Sequence, residues 1–396
     1  MHEVCSRPQP EPVRLDPQGR LQRYEEAFAN HDAPFAFVDL DAMWGNADHL
    51  LCRAADKPIR VASKSLRCRL LQREILDSND RFDGLMTFTL AETLWLAGHG
   101  FDNLLLAYPT TDRAALRELG ELTAENPERA PIVMVDSVEH LDLIESATAK
   151  PVRVCVDLDA GYWRAGGRLQ VGPKRSPLHT PEQARALAVE IAQRPSLRLV
   201  ALMSYEGHIA GFGDHVAGKR VQNAAVRWLQ RESFAELRER RARAVELVRE
   251  VADITIVNAG GTGDLQLVAQ EPAITEATAG SGFYAPTLFD SYSTFSLRPA
   301  AMFALPICRR PNAKTVTALG GGYLASGVGA KDRMPTPYLP SGLKLDPMEG
   351  TGEVQTPLSG AAARRLRIGD KVYFRHTKAG ELCERFDRLY LVRGAQ

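Results

Sequence analysis

Lys64 ends an apolar, β-rich run, IRVASK. A lysine at the end of a buried strand is expected to be partly desolvated, which disfavours the ammonium and lowers its pKa. An amine that can lose its proton is what Schiff-base chemistry requires. The plainer alternative is a lysine that lays its stem on apolar surface and keeps its head in water. Two Gly-rich stretches, GGTG at 260–263 and GSGFY at 280–284, can point backbone N–H groups at an anion, with Thr262 adding a hydroxyl. Each can equally be an ordinary turn after a strand. Arg164, in DLDAGYWRAGG, can hydrogen-bond a phenolate or a carboxylate, or form a structural ion pair with Asp157 or Asp159. Tyr205 and His208, in SYEGH, can face a flat ring, and the histidine can move protons. Asn258 opens the run NAGGTGD.

These residues have a common position once the elements are read. Eight β-rich runs alternate with helix-like segments through the middle of the chain, predicting strands at Ile59–Lys64, Gly84–Phe88, Asn103–Tyr108, Ile132–Asp136, Val152–Asp159, Leu199–His208, Asp253–Gly261 and Ile274–Phe283. Runs such as IVMVD and NLLLAY are apolar throughout, as strands buried on both faces should be. The segments between them carry apolar residues at three- and four-residue spacing. Ser137 and Thr180 stand where N-caps belong, the second followed by Pro181 at the first helical position. Eight such units predict an α/β fold, a (β/α)8 TIM barrel, with an open doubly wound sheet as the alternative. A barrel of this kind carries its site at the C-terminal ends of its strands, and those ends are where the candidate residues fall. After about residue 290, glycine, proline and β-branched residues replace the helical periodicity, predicting a C-terminal all-β domain. The expected division is an N-terminal segment over 1–32 that packs on the β-domain, a barrel over 33–290 and the β-domain over 291–396.

Composition narrows the function. The chain has 396 residues, 44% of them hydrophobic, and 49 basic residues balance 49 acidic ones. A net charge of zero gives no electrostatic case for nucleic acid or an anionic membrane as partner. No apolar run is long enough to span a bilayer, and the polar, Pro-rich start lacks the apolar stretch of a signal peptide, so a cytoplasmic protein is expected. The six cysteines are scattered and form no CxxC pair, which predicts that most are buried thiols and argues against a disulfide framework.

Taken together, APFAFVDLDAMWGN, VASK, DLDAGYWRAGG, MSYEGH, NAGGTG and TEATAGSGFY resemble the fold-type III pyridoxal-phosphate (PLP) enzymes. The likeness is to the D-threonine aldolase and D-serine dehydratase branch of the alanine racemase-like group, over roughly residues 33–390. The resemblance implies that Lys64 carries PLP as a Schiff base and acts as the base at the substrate α-carbon. It implies that Gly261, Thr262 and Gly263, with Gly282 and Tyr284, hold the phosphate, that Arg164 lies near the phenolic oxygen, and that Tyr205 and His208 line the ring with Asn258 close by. It also implies a homodimer in which the β-domain of one subunit completes the site of the other.

The sequence departs from that family at the metal site. Its members carry a His followed two positions later by Cys or Asp, whereas His376 is followed by Thr377 and Lys378. Either a shifted ligand takes over, Cys383 or Glu381, so that His376 with Cys383 in particular holds a divalent zinc or manganese ion, or the metal is absent. The activity implied is that of a lyase on a β-hydroxy D-amino acid. It would cleave to glycine and an aldehyde, or eliminate to a 2-oxo acid and ammonia, with His376 handling the β-hydroxyl. Three alternatives stay open. One is a racemase of the same fold, with Tyr323 as second base. Another is a non-catalytic PLP-binding protein, against which the extra β-domain argues. The third is a barrel enzyme that acts on a phosphorylated metabolite without PLP.

Overall fold

The computed structural model describes residues 16–164 and 166–394. Residues 1–15, which hold the Pro-rich start of the expected N-terminal segment and Cys5, lie outside the described residues. The chain forms two compact units. One comprises Leu50–Lys64 and Arg69–Gly280, the other the described part of Met1–His49 with Ser65–Cys68 and Ser281–Gln396.

The first unit is a closed barrel of eight parallel strands in chain order. They are β1 (Ile59–Ala62), β2 (Phe82–Thr87), β3 (Leu104–Leu106), β4 (Ile132–Val135), β5 (Val152–Asp157), β6 (Leu197–Ser204), β7 (Ile256–Ala259) and β8 (Glu276–Ala279). Strand β8 closes on β1 through the pairs Ala277–Ile59, Thr278–Arg60 and Ala279–Val61. All eight expected strands are present, and closure decides against the open sheet. All four residues of β4 and all three of β3 are buried, which is why those runs contain no polar residue. Each such Val or Leu contributes roughly 1.5–3 kcal/mol relative to an exposed one.

Helices fill the crossovers, and their ends follow the sequence. Ser137 accepts from His140 N at the start of Val138–Ala147, and Thr180 forms a full capping box with Gln183 before Pro181–Ala192. The segment after β6 forms one helix of 30 residues, Arg220–Arg249. A short hairpin, Tyr162–Arg164 with Leu169–Val171, was not anticipated. Gly166 and Gly167 make its turn with φ of 65° and 84°, a conformation that costs side-chain-bearing residues energy.

The second unit centres on an eight-stranded, mainly antiparallel sheet. Its longest strand, Ala301–Asn312, pairs with Thr315–Leu319 and Lys371–Arg375. Phe35–Asp39 belongs to this sheet, although it lies within the span read as barrel from the sequence. It pairs antiparallel with Ala301–Asn312 and parallel with Leu389–Val392, and all five of its residues are buried. The helix Pro17–Ala27 joins the same core through Tyr24 and Phe28, which pack with Phe37 and Tyr373. The Tyr24 hydroxyl donates to Asp39 Oδ2 at 2.7 Å. Among the described residues, no helix is long and apolar enough to cross a membrane.

Candidate active site

In the barrel unit, the strand ends surround a cavity of about 230 Å³. Tyr108 after β3, Asp136 after β4, Asp157 and Asp159 at and after β5, Arg175 from the loop beyond the hairpin, and Tyr205 after β6 line it. Lys64 reaches the wall of this cavity. Its Nζ donates to the Tyr108 hydroxyl and stands 5.1 Å from the Tyr108 ring centroid. On the other wall, Tyr205 borders the Gly-rich turn, since a Cβ on Gly261 would come within 3.3 Å of the Tyr205 ring. Lys64 thus touches Tyr108 and Gly261 adjoins Tyr205, two residues of one cavity wall.

Lys64 is exposed, and the expected desolvation is absent. Strand β1 ends at Ala62, and the single helical turn Ser63–Leu66 carries Lys64 out of the apolar run.

The turn after β7 is held from within the chain. Gly260 has φ 81°, and a Cβ there would meet Val268 at 2.7 Å, so glycine is required. The Gly260 N–H donates to Glu206 Oε2 at 3.1 Å, and the Gly261 N–H donates to Asp264 Oδ1 at 2.8 Å. Glu206 is in turn bound by Arg241 of the long helix at 3.0 Å, and Arg241 also pairs with Glu271. All three side chains are buried. Burial, and then Glu206 nearby, holds the Asp264 carboxyl well above the usual carboxylate range. The Gly260 and Gly261 N–H groups are thus both engaged within the chain.

Arg164 does not line the cavity. It donates to the Tyr162 hydroxyl at 2.5 Å and faces Glu232 at 3.8 Å, with its side chain largely in solvent. It pairs with neither Asp157 nor Asp159. Asp159 instead meets His179 Nδ1 at 2.9 Å, and His179 stacks on Trp163 at 3.9 Å. The guanidinium at the cavity is that of Arg175, over the rings of Tyr205 at 5.4 Å and Tyr108 at 5.9 Å. His208 sits behind the wall, its Nε2 bonded to Ser233 Oγ, and burial lowers its pKa. Asn258 is committed to the barrel strands. It donates to Glu276 Oε1 at 2.7 Å and accepts from Thr278, beside the buried Arg60–Glu276 pair. Burial, then the carboxylates of Asp136 and Asp159, push the Asp157 carboxyl up to about 8, against the lowering effect of Arg175. Burial also raises the Tyr205 phenol.

The remaining candidates lie in the β unit. Gly282 and Tyr284 fall on the one-turn helix Ser281–Tyr284, and the Tyr284 hydroxyl donates to Leu66 O at 2.9 Å. His376 is buried, and burial followed by Arg375 lowers its pKa to about 3, against the raising effect of the Ala301 backbone. Cys383 approaches Leu66 O at 3.4 Å, and burial pushes its thiol up to about 12. Among the described residues, no three His, Cys, Asp or Glu side chains converge as a metal site would need. Tyr323 packs against Phe303 and Phe386.

Sequence reasoning missed Tyr108, Asp157 as an unpaired cavity group, and Arg175. Tyr108 was legible as the last residue of a predicted strand. Arg175, in GPKRSP, sits in a loop with no periodicity to place it.

The alanine racemase N-terminal domain family model matches residues 38–286, more than half of the chain, and the chain belongs to that family. That places it among the fold-type III PLP enzymes. No curated protein matches it. Among solved structures, it is similar to D-threonine aldolase from Filomicrobium marinum, at 18% identity and TM-score 0.72, over 92% of this chain and 91% of that one. It is similar to D-threo-3-hydroxyaspartate dehydratase from Delftia sp. HT23, at 16% identity and TM-score 0.65, over 89% and 92%. Alanine racemase from Corynebacterium glutamicum is similar at 13% identity and TM-score 0.58, over 91% and 99%. At these identities the likenesses establish the fold.

Proposed function

We propose that the chain is a PLP-dependent lyase acting on a β-hydroxy D-amino acid. The observation that carries this reading is the line from Lys64 through Tyr108 and the cavity to Tyr205 and the Gly260–Gly263 turn, in a member of this family. The names of two structural neighbours, an aldolase of D-threonine and a dehydratase of a D-hydroxy amino acid, support the choice of substrate class.

The residues fit the cofactor. Lys64 is exposed, Tyr205 offers a flat wall, and the phosphate is assigned to the Gly261–Gly263 turn that adjoins Tyr205. When bound, PLP supplies an electron sink for the substrate α-carbon. The chain's own residues do the rest. Tyr108 holds Lys64 Nζ at the cavity, and Lys64 takes the α-proton when the β-hydroxyl is eliminated. His376 is the residue assigned to the β-hydroxyl, and Arg164 and His208 keep their supporting roles at the ring only if they move from their present contacts. The reading includes the homodimer that the family resemblance implies.

Product identity tests it. The PLP-loaded protein with D-threonine should give acetaldehyde plus glycine by cleavage, or 2-oxobutanoate plus ammonia by elimination. Lys64→Ala should lose turnover on the order of 10²–10⁴-fold and the borohydride-sensitive yellow absorbance with it. A wild-type protein that takes up no PLP at Lys64 would overturn the reading.

A further inference from the structure

The chain carries no net charge, yet its charges are unevenly spread. In the β unit, the hairpin that joins Ala301–Asn312 to Thr315–Leu319 turns on RRPNAK, and AAARRLRIGDK leads from Gln355–Gly360 into Lys371–Arg375. These two stretches hold seven arginines and lysines and one carboxylate, Asp370. The register brings them to one end of the sheet, since Thr315 pairs with Ser359 and Pro306 with Lys371. Arg310 ties them together. Its guanidinium donates to the carbonyls of Ala363 at 3.0 Å, Arg364 at 2.9 Å, Leu366 at 2.5 Å and Ala313 at 3.2 Å. Of the other six cations, Arg309, Lys314, Arg364, Arg365 and Arg367 are exposed and Lys371 is half-buried. Among the described residues, none of these six side chains forms an ion pair or a hydrogen bond. Asp370 instead takes the Arg367 N–H at 2.6 Å. Surface arginines elsewhere do meet carboxylates, as Arg194 meets Asp142 and Arg198 meets Glu128. Like charges left together repel one another, which costs the folded state stability and is relieved by an anionic partner.

The chemistry of this surface narrows the partner. Neither stretch contains an aromatic side chain on which a nucleic-acid base could stack. Ile368 is the one large apolar side chain exposed there, too little to anchor in a bilayer. Four of the six free cations are arginines, whose planar fork takes a carboxylate through two parallel hydrogen bonds. Arg364, Arg365 and Arg367 fall within one turn of chain, which a short peptide can span. We propose that this end of the β sheet is a docking surface for an acidic polypeptide segment, a run of Asp and Glu side chains on a partner protein. Arg364, Arg365 and Arg367 form its centre, with Arg309, Lys314 and Lys371 around them. Arg310 is a positioning residue that holds the turn against the hairpin. The surface uses no residue of the cavity described above and does not depend on the lyase reading.

The test is fluorescence anisotropy of the full chain with fluorescein-labelled decaglutamate. A short labelled duplex DNA and vesicles of phosphatidylcholine with phosphatidylglycerol are titrated in parallel. Decaglutamate should bind more tightly than either, and its affinity should fall steeply between about 50 and about 200 mM salt. Exchanging Arg364, Arg365 and Arg367 together for glutamine should weaken peptide binding at least about tenfold, with an unaltered circular dichroism spectrum. Exchanging them for lysine keeps the charge but not the fork, and should retain part of the affinity. The glutamine exchange at Arg117, Arg238 and Arg249, exposed on the barrel unit, removes as much charge and should change the affinity by less than about twofold. At low salt the Arg364/Arg365/Arg367 glutamine variant should also melt at a higher temperature than the wild type, and added decaglutamate should raise the wild type in the same direction. The proposal is overturned if decaglutamate does not bind, or if the barrel-unit variant loses as much affinity as the β-unit variant. It is also overturned if duplex DNA or the vesicles bind as tightly as the peptide, which would make this surface a nucleic-acid or lipid contact instead.

Discussion

Asp157 makes a pH-dependent contribution to stability whose sign can be worked out. Its carboxyl is held up to about 8 in the folded chain, against about 4 for an unfolded aspartate. Between those values the folded state binds a proton that the unfolded state does not, so this group's contribution falls as pH rises from about 4 to about 8. Asp157→Asn removes the dependence. In urea melts the variant should therefore gain on the wild type as pH rises, by on the order of a few kcal/mol near pH 8, with little difference near pH 4. Parallel pH profiles for the two proteins would contradict this. At the residue scale the site was partly legible. Lys64 and Tyr205 were found because each ends a predicted strand, where barrels keep their chemistry. Arg164 stands in a recognisable run and Arg175 does not, yet Arg164 faces Glu232 and Arg175 lines the cavity.

The helix Arg220–Arg249 does more than close a crossover. Its run ERRARAVELV presents a charged face, but Arg241 is fully buried between Glu206 and Glu271. Burying a guanidinium is tolerable only with such partners, and the second oxygen of Glu206 holds the Gly260 N–H. Arg241→Leu should leave two buried carboxylates without their cation and destabilise the chain by about 3–5 kcal/mol, read from urea melts. It should also loosen the Gly260–Gly263 turn, read as faster amide exchange there than at β4. A neutral substitution would mean that the network adds nothing to the turn. The strands themselves were legible because burial on both faces requires apolar residues throughout. A buried arginine is not legible, because its partners lie 35 residues back in the chain and 30 residues on.

For the molecule as a whole, cofactor binding and stability should be linked. A ligand that binds only the folded chain stabilises it by about 2.7 kcal/mol at a hundred times its dissociation constant. PLP should therefore raise the melting temperature of the wild type, and Lys64→Ala should lose most of that increase. An equal shift in the variant would move the cofactor's attachment away from Lys64. The amino-acid sequence alone determined the alternation of eight apolar runs with amphipathic segments, the β-rich texture after residue 290, and the caps at Ser137 and Thr180. Each is a local consequence of which faces must be buried and which backbone groups need partners. Tertiary structure alone decided that the sheet closes, since closure depends on the pairing of β8 with β1, far apart in sequence. It alone placed Phe35–Asp39 in the β sheet, where four of its five buried residues pair in register with Ala301–Asn312. It also brought Asp157, at the end of β5, and Arg175, from the loop beyond the hairpin, to one cavity, which no local pattern of residues encodes.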